Sequence, residues 1–161
     1  MTFDLRDITG FRGEKIIELI LTDRSGFPGP LFRPAFLGDK WPAIDFYVEL
    51  TTVGGQQPFF FVQAKSTTPA LTARSKKLVV STQRSDIEGL LRIPGPTYLL
   101  GVHEPTQRVF ARSVHSGIPT KAITRIPLSY ELTPANLKIL HDEVRDFWST
   151  RNLKPTDSVF A

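Results

Sequence analysis

Two neighbouring stretches decide the fold. The first reads AIDFYVELTT over 43–52, and the second reads FFFVQAKS over 59–66. The first alternates apolar and polar residues with a period of two, which is typical of a strand with one buried face. The second is apolar on both faces until Gln63 and Lys65 interrupt it, as expected for a strand covered on both sides. Because a Gly-Gly turn at 54–55 joins them, the two strands are predicted to pair as a hairpin.

The remaining elements follow from periodicity and cap residues. Apolar spacing predicts a first helix over 10–22, and Ser85 with Glu88 three residues later predicts a capped helix near 83–91. A second hairpin is predicted within 96–113, and a last helix begins at Thr133, the cap, and Pro134.

Two further segments complete the organisation. Leu78–Val80 has the composition of a strand, whereas Phe27–Pro42 contains four prolines and is predicted to be a connecting loop. The predicted order is therefore helix, hairpin, helix, hairpin, helix.

Composition limits the classes of protein. The 161 residues suit one domain, and 20 basic against 16 acidic residues give a net charge of +4, which permits a polyanionic partner. The absence of cysteine excludes disulfides and thiolate metal sites. No apolar run is long enough to span a bilayer and the first twenty residues lack a signal-peptide core, so a cytoplasmic protein with no membrane partner is expected.

Four polar residues form the candidate site. Gln63 and Lys65 are two apart on one strand, so their side chains leave the same face, and hairpin pairing places Asp45 beside them. Glu14 and Glu18, one helical turn apart, can both project toward the same sheet. Carboxylate and amide oxygens suit Mg²⁺, with Glu14, Asp45 and Gln63 as the expected ligands. Such a metal site suits the hydrolysis of a phosphodiester, in which Lys65 would orient the attacking water or stabilise charge on the phosphoryl oxygens.

These residues resemble the pattern of the PD-(D/E)XK, or restriction-endonuclease-like, nuclease superfamily. The matching pieces are Gly13-Glu14, Ala43-Ile44-Asp45-Phe46 and Val62-Gln63-Ala64-Lys65-Ser66-Thr67. The last is similar to the V-Q-x-K-S-T form of a branch of uncharacterised bacterial domains. Pro42 does not adjoin the Asp, and Gln63 replaces the commoner Glu. Glu14 is preferred over Glu18 because it follows Gly13.

The resemblance implies a single α/β domain over 1–161 with an αβββαβ core, a central mixed sheet flanked by helices, and an extra C-terminal helix. The core covers about 10–112, a strand and helix 113–150, and a tail 151–161. It also implies an endonuclease that hydrolyses phosphodiester bonds in DNA, less often RNA, with Mg²⁺ or Mn²⁺ and no other cofactor. A homodimer or a larger complex in bacterial or phage defence is the implied setting.

Three alternatives stay open at the level of the sequence. A structural salt bridge from Lys65 to Asp45 would also explain a buried lysine. The fold could be a catalytically silent nuclease domain that binds nucleic acid or a protein partner, which Gln63 favours. It could also be an immunity-like interaction module, for which an exposed apolar patch would be the sign.

Further residues are assigned from their surroundings. Candidate contacts to the nucleic-acid backbone are Ser66, Arg74, Lys76, Lys77 and Arg84, which lie at the end of the active strand or soon after it. Trp41 is interpreted as a core residue, with base stacking as the alternative. The three histidines, which lack a ligand spacing, are interpreted as surface or loop residues.

Overall fold

The computed structural model describes residues 4–24, 26–51, 53–72, 74–118, 121–151 and 158–159. Most of the tail that the sequence analysis assigned to 151–161 therefore lies outside the described residues, as does Thr52 at the end of the first predicted strand. The elements in chain order are α1 Leu5–Leu21, β1 Phe32–Phe36, β2 Phe46–Leu50, β3 Phe59–Thr67, β4 Lys77–Val79, α2 Arg84–Leu91, β5 Thr97–His103, β6 Arg108–Ser113, β7 Arg125–Pro127 and α3 Pro134–Ser149. The protein is a mixed α/β fold.

The main sheet has five strands in the order β1-β2-β3-β5-β6. The predicted hairpin of β2 and β3 is confirmed, since the two strands pair antiparallel with Phe46 opposite Val62. The chain then crosses through α2 and returns as β5, which pairs parallel to β3 with Lys65 opposite Gly101. The second predicted hairpin, β5 with β6, is also confirmed.

Strand β1 corrects the prediction that Phe27–Pro42 is a connecting loop. Phe32–Phe36 pairs antiparallel with β2 and forms one edge of the sheet. Pro34 lies within this strand, opposite Val48. An edge strand tolerates proline because one of its sides needs no ladder hydrogen bonds, so the proline content did not exclude a strand here.

Helices α1 and α3 cover one face of the main sheet. Their inward residues pack with the even-numbered side chains of β3, Phe60 and Val62, in the larger apolar cluster. Helix α1 begins at Leu5, five residues before the predicted start, because Asp4 caps it through a hydrogen bond from the Arg6 N–H. The predicted cap of α3 is confirmed, since the Thr133 side chain accepts a hydrogen bond from the Asn136 N–H.

The opposite face is covered by α2 and by a small sheet of β4 and β7, which pair antiparallel. Leu78 and Ile126, facing each other across this small sheet, are fully buried. They pack against Gly101 of β5, where a β-carbon would lie 2.8 Å from Leu78 and 2.9 Å from Ile126. The strand-like composition of Leu78–Val80 therefore marked a real strand, whose partner lies almost fifty residues further along the chain.

Candidate functional site

A notch at one end of the sheet forms because β3 is longer than β2. Strand β3 spans nine residues and β2 five, so Ala64–Thr67 extend past the start of β2 while they stay paired with β5. The N-terminal half of α1 lies over this notch. Helix and strand come close at Gly13, where a β-carbon would meet the Ser66 Oγ at 1.8 Å.

The notch holds a cavity of about 490 Å³. Its walls come from three parts of the chain: the first half of α1, the residue before β2, and the end of β3 with the turn that follows. The lining residues are Leu5, Arg6, Thr9, Gly10, Glu14, Asp45, Ala64, Lys65, Ser66, Thr67, Thr68 and Pro69. Three of the four predicted site residues, Glu14, Asp45 and Lys65, thus line one cavity.

Asp45 is held by the free edge of β3. Its backbone N–H donates to the Val62 carbonyl at 2.8 Å, and its Oδ2 accepts the Ala64 N–H at 2.6 Å. The carboxylate thereby satisfies the N–H of a β3 residue that lies just past the start of β2. Two residues earlier, Ala43 has a φ of 64°, a left-handed conformation that costs about 1–3 kcal/mol outside glycine. This sharp approach sets the direction in which the chain reaches Asp45.

The structure separates Glu14 from Glu18. Glu14 is half-buried and lines the cavity with Asp45. Glu18 instead accepts hydrogen bonds from the Lys15 ammonium at 3.0 and 3.2 Å, and it lines a different cavity near Pro30 and Thr51. One helical turn is therefore enough to take the second acid out of the site.

Lys65 has a different partner from the one considered in the sequence. Its Nζ lies 3.4 Å from Asp86 Oδ2, and both side chains are half-buried. Asp86 is the third residue of α2, and its carboxylate also accepts the Gln83 N–H at 2.9 Å. The residue that caps α2 is thus Gln83 rather than the predicted Ser85. The Asp86 carboxylate that accepts the Gln83 N–H also pairs with Lys65.

Gln63 lies one position from the cavity wall. It is 4% exposed, and among the described residues its Oε1 is a buried side-chain oxygen without a hydrogen-bond partner. Leaving such an acceptor unpaired costs about 1–3 kcal/mol. Gln63 does not line the cavity itself. It shares a strand face with Lys65, and it is the residue after Val62, whose carbonyl accepts the Asp45 N–H.

The predicted nucleic-acid contacts divide into three groups. Ser66 lines the cavity, whereas Arg74, Lys76 and Lys77 are exposed on the segment that follows it. Arg84, on α2, is paired with Glu88 at 2.7 Å, so its charge is already compensated.

The interpretations of Trp41 and of the histidines need correction. Trp41 is 57% exposed rather than a core residue. His103 and His141 are buried, whereas His115 is exposed. His103 is held by Thr106 Oγ1 at 2.6 Å and by the Pro69 carbonyl at 2.9 Å. It was missed as a buried residue because the chain around it reads as the end of a hairpin strand.

Sequence reasoning also missed residues that the fold brings to the cavity. Arg6 and Thr9 line it because α1 starts earlier than predicted. Asp4, immediately before Leu5, was the available signal, since aspartate is a strong helix N-cap. No local signal could have joined Lys65 to Asp86, which depends on how α2 packs on the sheet.

Within the described ranges, no group of three or more His, Cys, Asp or Glu side chains could hold a metal ion, and no helix is long and apolar enough to cross a membrane.

No family model matches the chain, and no curated protein matches it in sequence. Functional assignment therefore depends on the cavity and its chemistry.

Proposed function

We propose that this protein is a metal-dependent nuclease of the PD-(D/E)XK type that hydrolyses phosphodiester bonds in DNA. The observation that carries the proposal is the convergence of Glu14, Asp45 and Lys65 on one cavity from three separate segments of the chain. Two carboxylates and an ammonium in one cavity suit a phosphodiester. The carboxylates can hold a cation, and the ammonium can neutralise charge on the phosphoryl oxygens.

The arrangement of elements supports the same proposal. In the main sheet, α1 is followed by three antiparallel strands, a crossover helix and a strand that pairs parallel to β3, whereas β4, between β3 and α2 in the chain, belongs to the small sheet. The order of these elements supports the αβββαβ core that the resemblance implies. The last helix, α3, is the expected addition to that core.

The donor set fits a hard divalent cation. Mg²⁺ is commonly bound by one or two protein carboxylates, with water and substrate phosphate completing its shell. Glu14 and Asp45 would supply the carboxylates, and the buried, unpartnered Gln63 Oε1 is a neutral oxygen on the face of β3 that also carries Lys65. When bound, Mg²⁺ or Mn²⁺ supplies Lewis-acid polarisation of the phosphate and lowers the pKa of water.

The side chains of this chain have separate tasks in the proposal. The Ala64 N–H fixes the orientation of Asp45. Lys65, restrained by Asp86, keeps its ammonium at the cavity wall, where it can donate to a phosphoryl oxygen. Arg6 and Ser66 add a positive charge and a hydroxyl for the flanking phosphates.

A second candidate function is a silent nuclease fold that binds nucleic acid or a protein partner. The ion pair between Lys65 and Asp86 favours it, because a lysine whose charge is already compensated stabilises α2 without any reaction. Gln63 favours it as well, since an amide binds a cation less strongly than the carboxylate more common at that position.

The experiment compares cleavage of supercoiled, linear and single-stranded DNA, and of RNA, in Mg²⁺ and Mn²⁺. Asp45→Asn keeps an acceptor for the Ala64 N–H and Lys65→Met keeps the length of the side chain, so both variants should fold. We expect each to reduce the rate of DNA cleavage by about 10²-fold or more, because charge stabilisation at the phosphate is lost.

The matched control uses the two helix acids. Glu14→Gln should reduce cleavage in the same way, whereas Glu18→Gln, one turn away and paired with Lys15, should leave the rate unchanged. Absence of cleavage by the native protein with every substrate and metal, together with no Mn²⁺ binding by calorimetry, would replace the nuclease by the second candidate.

A further inference from the structure

The charge of this protein is distributed very unevenly. Residues 66–85 and 105–130 together contain eight of the 20 lysines and arginines and none of the 16 aspartates and glutamates. The rest of the chain is therefore acidic on balance, although the total is +4. These two acid-free segments contain β4 and β7, which the fold pairs with each other.

Hydrogen bonds join the two segments beyond the short strands themselves. The Leu128 N–H donates to the Lys76 carbonyl at 3.0 Å, and the Val80 N–H donates to the Thr124 carbonyl at 3.0 Å. The Thr82 hydroxyl continues the contact through hydrogen bonds to Ile123 at 2.7 and 2.8 Å. The two segments thus form a continuous antiparallel ribbon.

One face of this ribbon is fixed toward the core. Leu78 and Ile126 are buried against Gly101, so the alternation of strand side chains turns Lys77, Val79, Arg125 and Pro127 outward. Lys77 and Arg125 are diagonal neighbours in the register, with alpha carbons roughly 7–8 Å apart.

We propose that this outward surface, called here the basic platform, binds the phosphate backbone of nucleic acid. Lys77 and Arg125 lie on the outward face of the strands, and Arg74, Lys76 and Lys121 are exposed on the adjoining parts of the same two segments. All five are exposed, and within the described ranges none forms an ion pair with a carboxylate. Arg84 and Arg108 are excluded because Glu88 and Glu131 compensate them.

Charge complementarity selects the partner. A nucleic-acid backbone is a regular array of negative charges, and five uncompensated cations on one ribbon release counterions when they meet it. Among the described residues of β4 and β7, Val79 is the large apolar side chain that is exposed. One such side chain offers little to insert into a lipid surface.

The position of the basic platform also favours nucleic acid. Thr68 and Pro69 line the candidate cavity, and the chain reaches Lys76 seven residues later. The Pro69 carbonyl is held by buried His103 at 2.9 Å, so the connection starts from a fixed point. The segment that leads to the basic platform therefore begins at the wall of the candidate cavity.

The inference goes beyond the proposed function, because backbone binding at this surface needs neither a metal ion nor hydrolysis. Its test is done in EDTA, with anisotropy of a labelled 25-base-pair duplex measured over a series of salt concentrations. Lys77→Gln with Arg125→Gln should weaken binding at least about tenfold at 0.1 M salt and lower the salt slope by about 1.8, since each lost phosphate contact contributes about 0.9.

Three comparisons make the result decisive. Arg24→Gln with Lys138→Gln makes the same change of charge on the part of the chain that contains the acids, and it should leave the slope unchanged. Lys77→Arg with Arg125→Lys should retain binding. Equal loss in both Gln double variants, or stronger capture by anionic vesicles than by DNA, would overturn the inference. Failure of cleavage in Mg²⁺ would count only against the nuclease, because binding in EDTA is measured separately.

Discussion

At the scale of single residues, the site combines one well-satisfied acid with one unsatisfied amide. Asp45 completes the hydrogen bonding at the end of a strand, so its orientation is fixed by the backbone of β3. Gln63 is buried with its Oε1 unpaired, an arrangement that lowers stability. Such a cost at the centre of a polar constellation is typical of functional sites, where local rules of stability are broken.

Gln63→Met tests this interpretation. Methionine has a similar volume and no acceptor that needs a partner, so we expect the free energy of unfolding to stay within about 1 kcal/mol of the native value or to rise. DNA cleavage and Mn²⁺ affinity should fall at the same time. Urea denaturation with and without Mn²⁺ gives the free energy of unfolding and the Mn²⁺ affinity, and a cleavage assay gives the rate. A loss of stability above about 2 kcal/mol would show that the amide is satisfied in solution.

At the scale of elements, the contact between α1 and β3 sets the width of the cavity. Gly13 allows the helix to approach until a β-carbon would overlap the Ser66 Oγ. Because Glu14 is the next residue, the same approach brings its carboxylate toward Asp45. Helix propensity alone would favour alanine at position 13, since glycine lowers helix stability by roughly 0.5–1 kcal/mol. The close packing of α1 on β3 excludes alanine, because its β-carbon would overlap Ser66.

Gly13→Ala should therefore destabilise the protein by about 1–3 kcal/mol, as expected when a tightly packed contact is overfilled. Gly10→Ala on the same helix is the control, because nothing lies within 4 Å of its β-carbon, and it should stabilise by about 0.5–1 kcal/mol. Chemical denaturation measures both. Adding Ser66→Gly to Gly13→Ala should recover part of the loss, and no recovery would point to a different obstacle.

At the scale of the whole molecule, a buried histidine links the last helix to the first strand. His141 of α3 contacts Phe32 of β1 with a ring-centroid distance of 6.0 Å. Burial lowers the pKa of His141, and the neighbouring Asp142 offsets this in part. In the unfolded chain the pKa of histidine is about 6.5, so below that pH the unfolded state binds a proton that the folded state does not.

The contribution of His141 to stability is therefore fully present above about pH 6.5 and is lost as the pH falls below this value. We expect His141→Gln to show a smaller loss of stability between pH 8 and pH 5.5 than the native protein does. Urea midpoints at the two pH values measure this difference. An unchanged pH dependence in His141→Gln would contradict the assignment.

Different parts of the fold were predictable to different degrees. The β2–β3 hairpin, the β5–β6 hairpin and the cap of α3 were predicted because each depends on residues close together in the chain. Strand β1 was missed because its pairing with β2 outweighs the presence of Pro34 at the sheet edge.

By itself the sequence determined that Gln63 and Lys65 share a strand face and that Asp45 stands beside them, because strand periodicity and hairpin pairing are local. Only the tertiary structure decided that Glu14 rather than Glu18 reaches the cavity, and that Lys65 pairs with Asp86. The same holds for the meeting of β4 and β7. These choices depend on how separate elements pack, and close packing selects among contacts that the local sequence leaves equivalent.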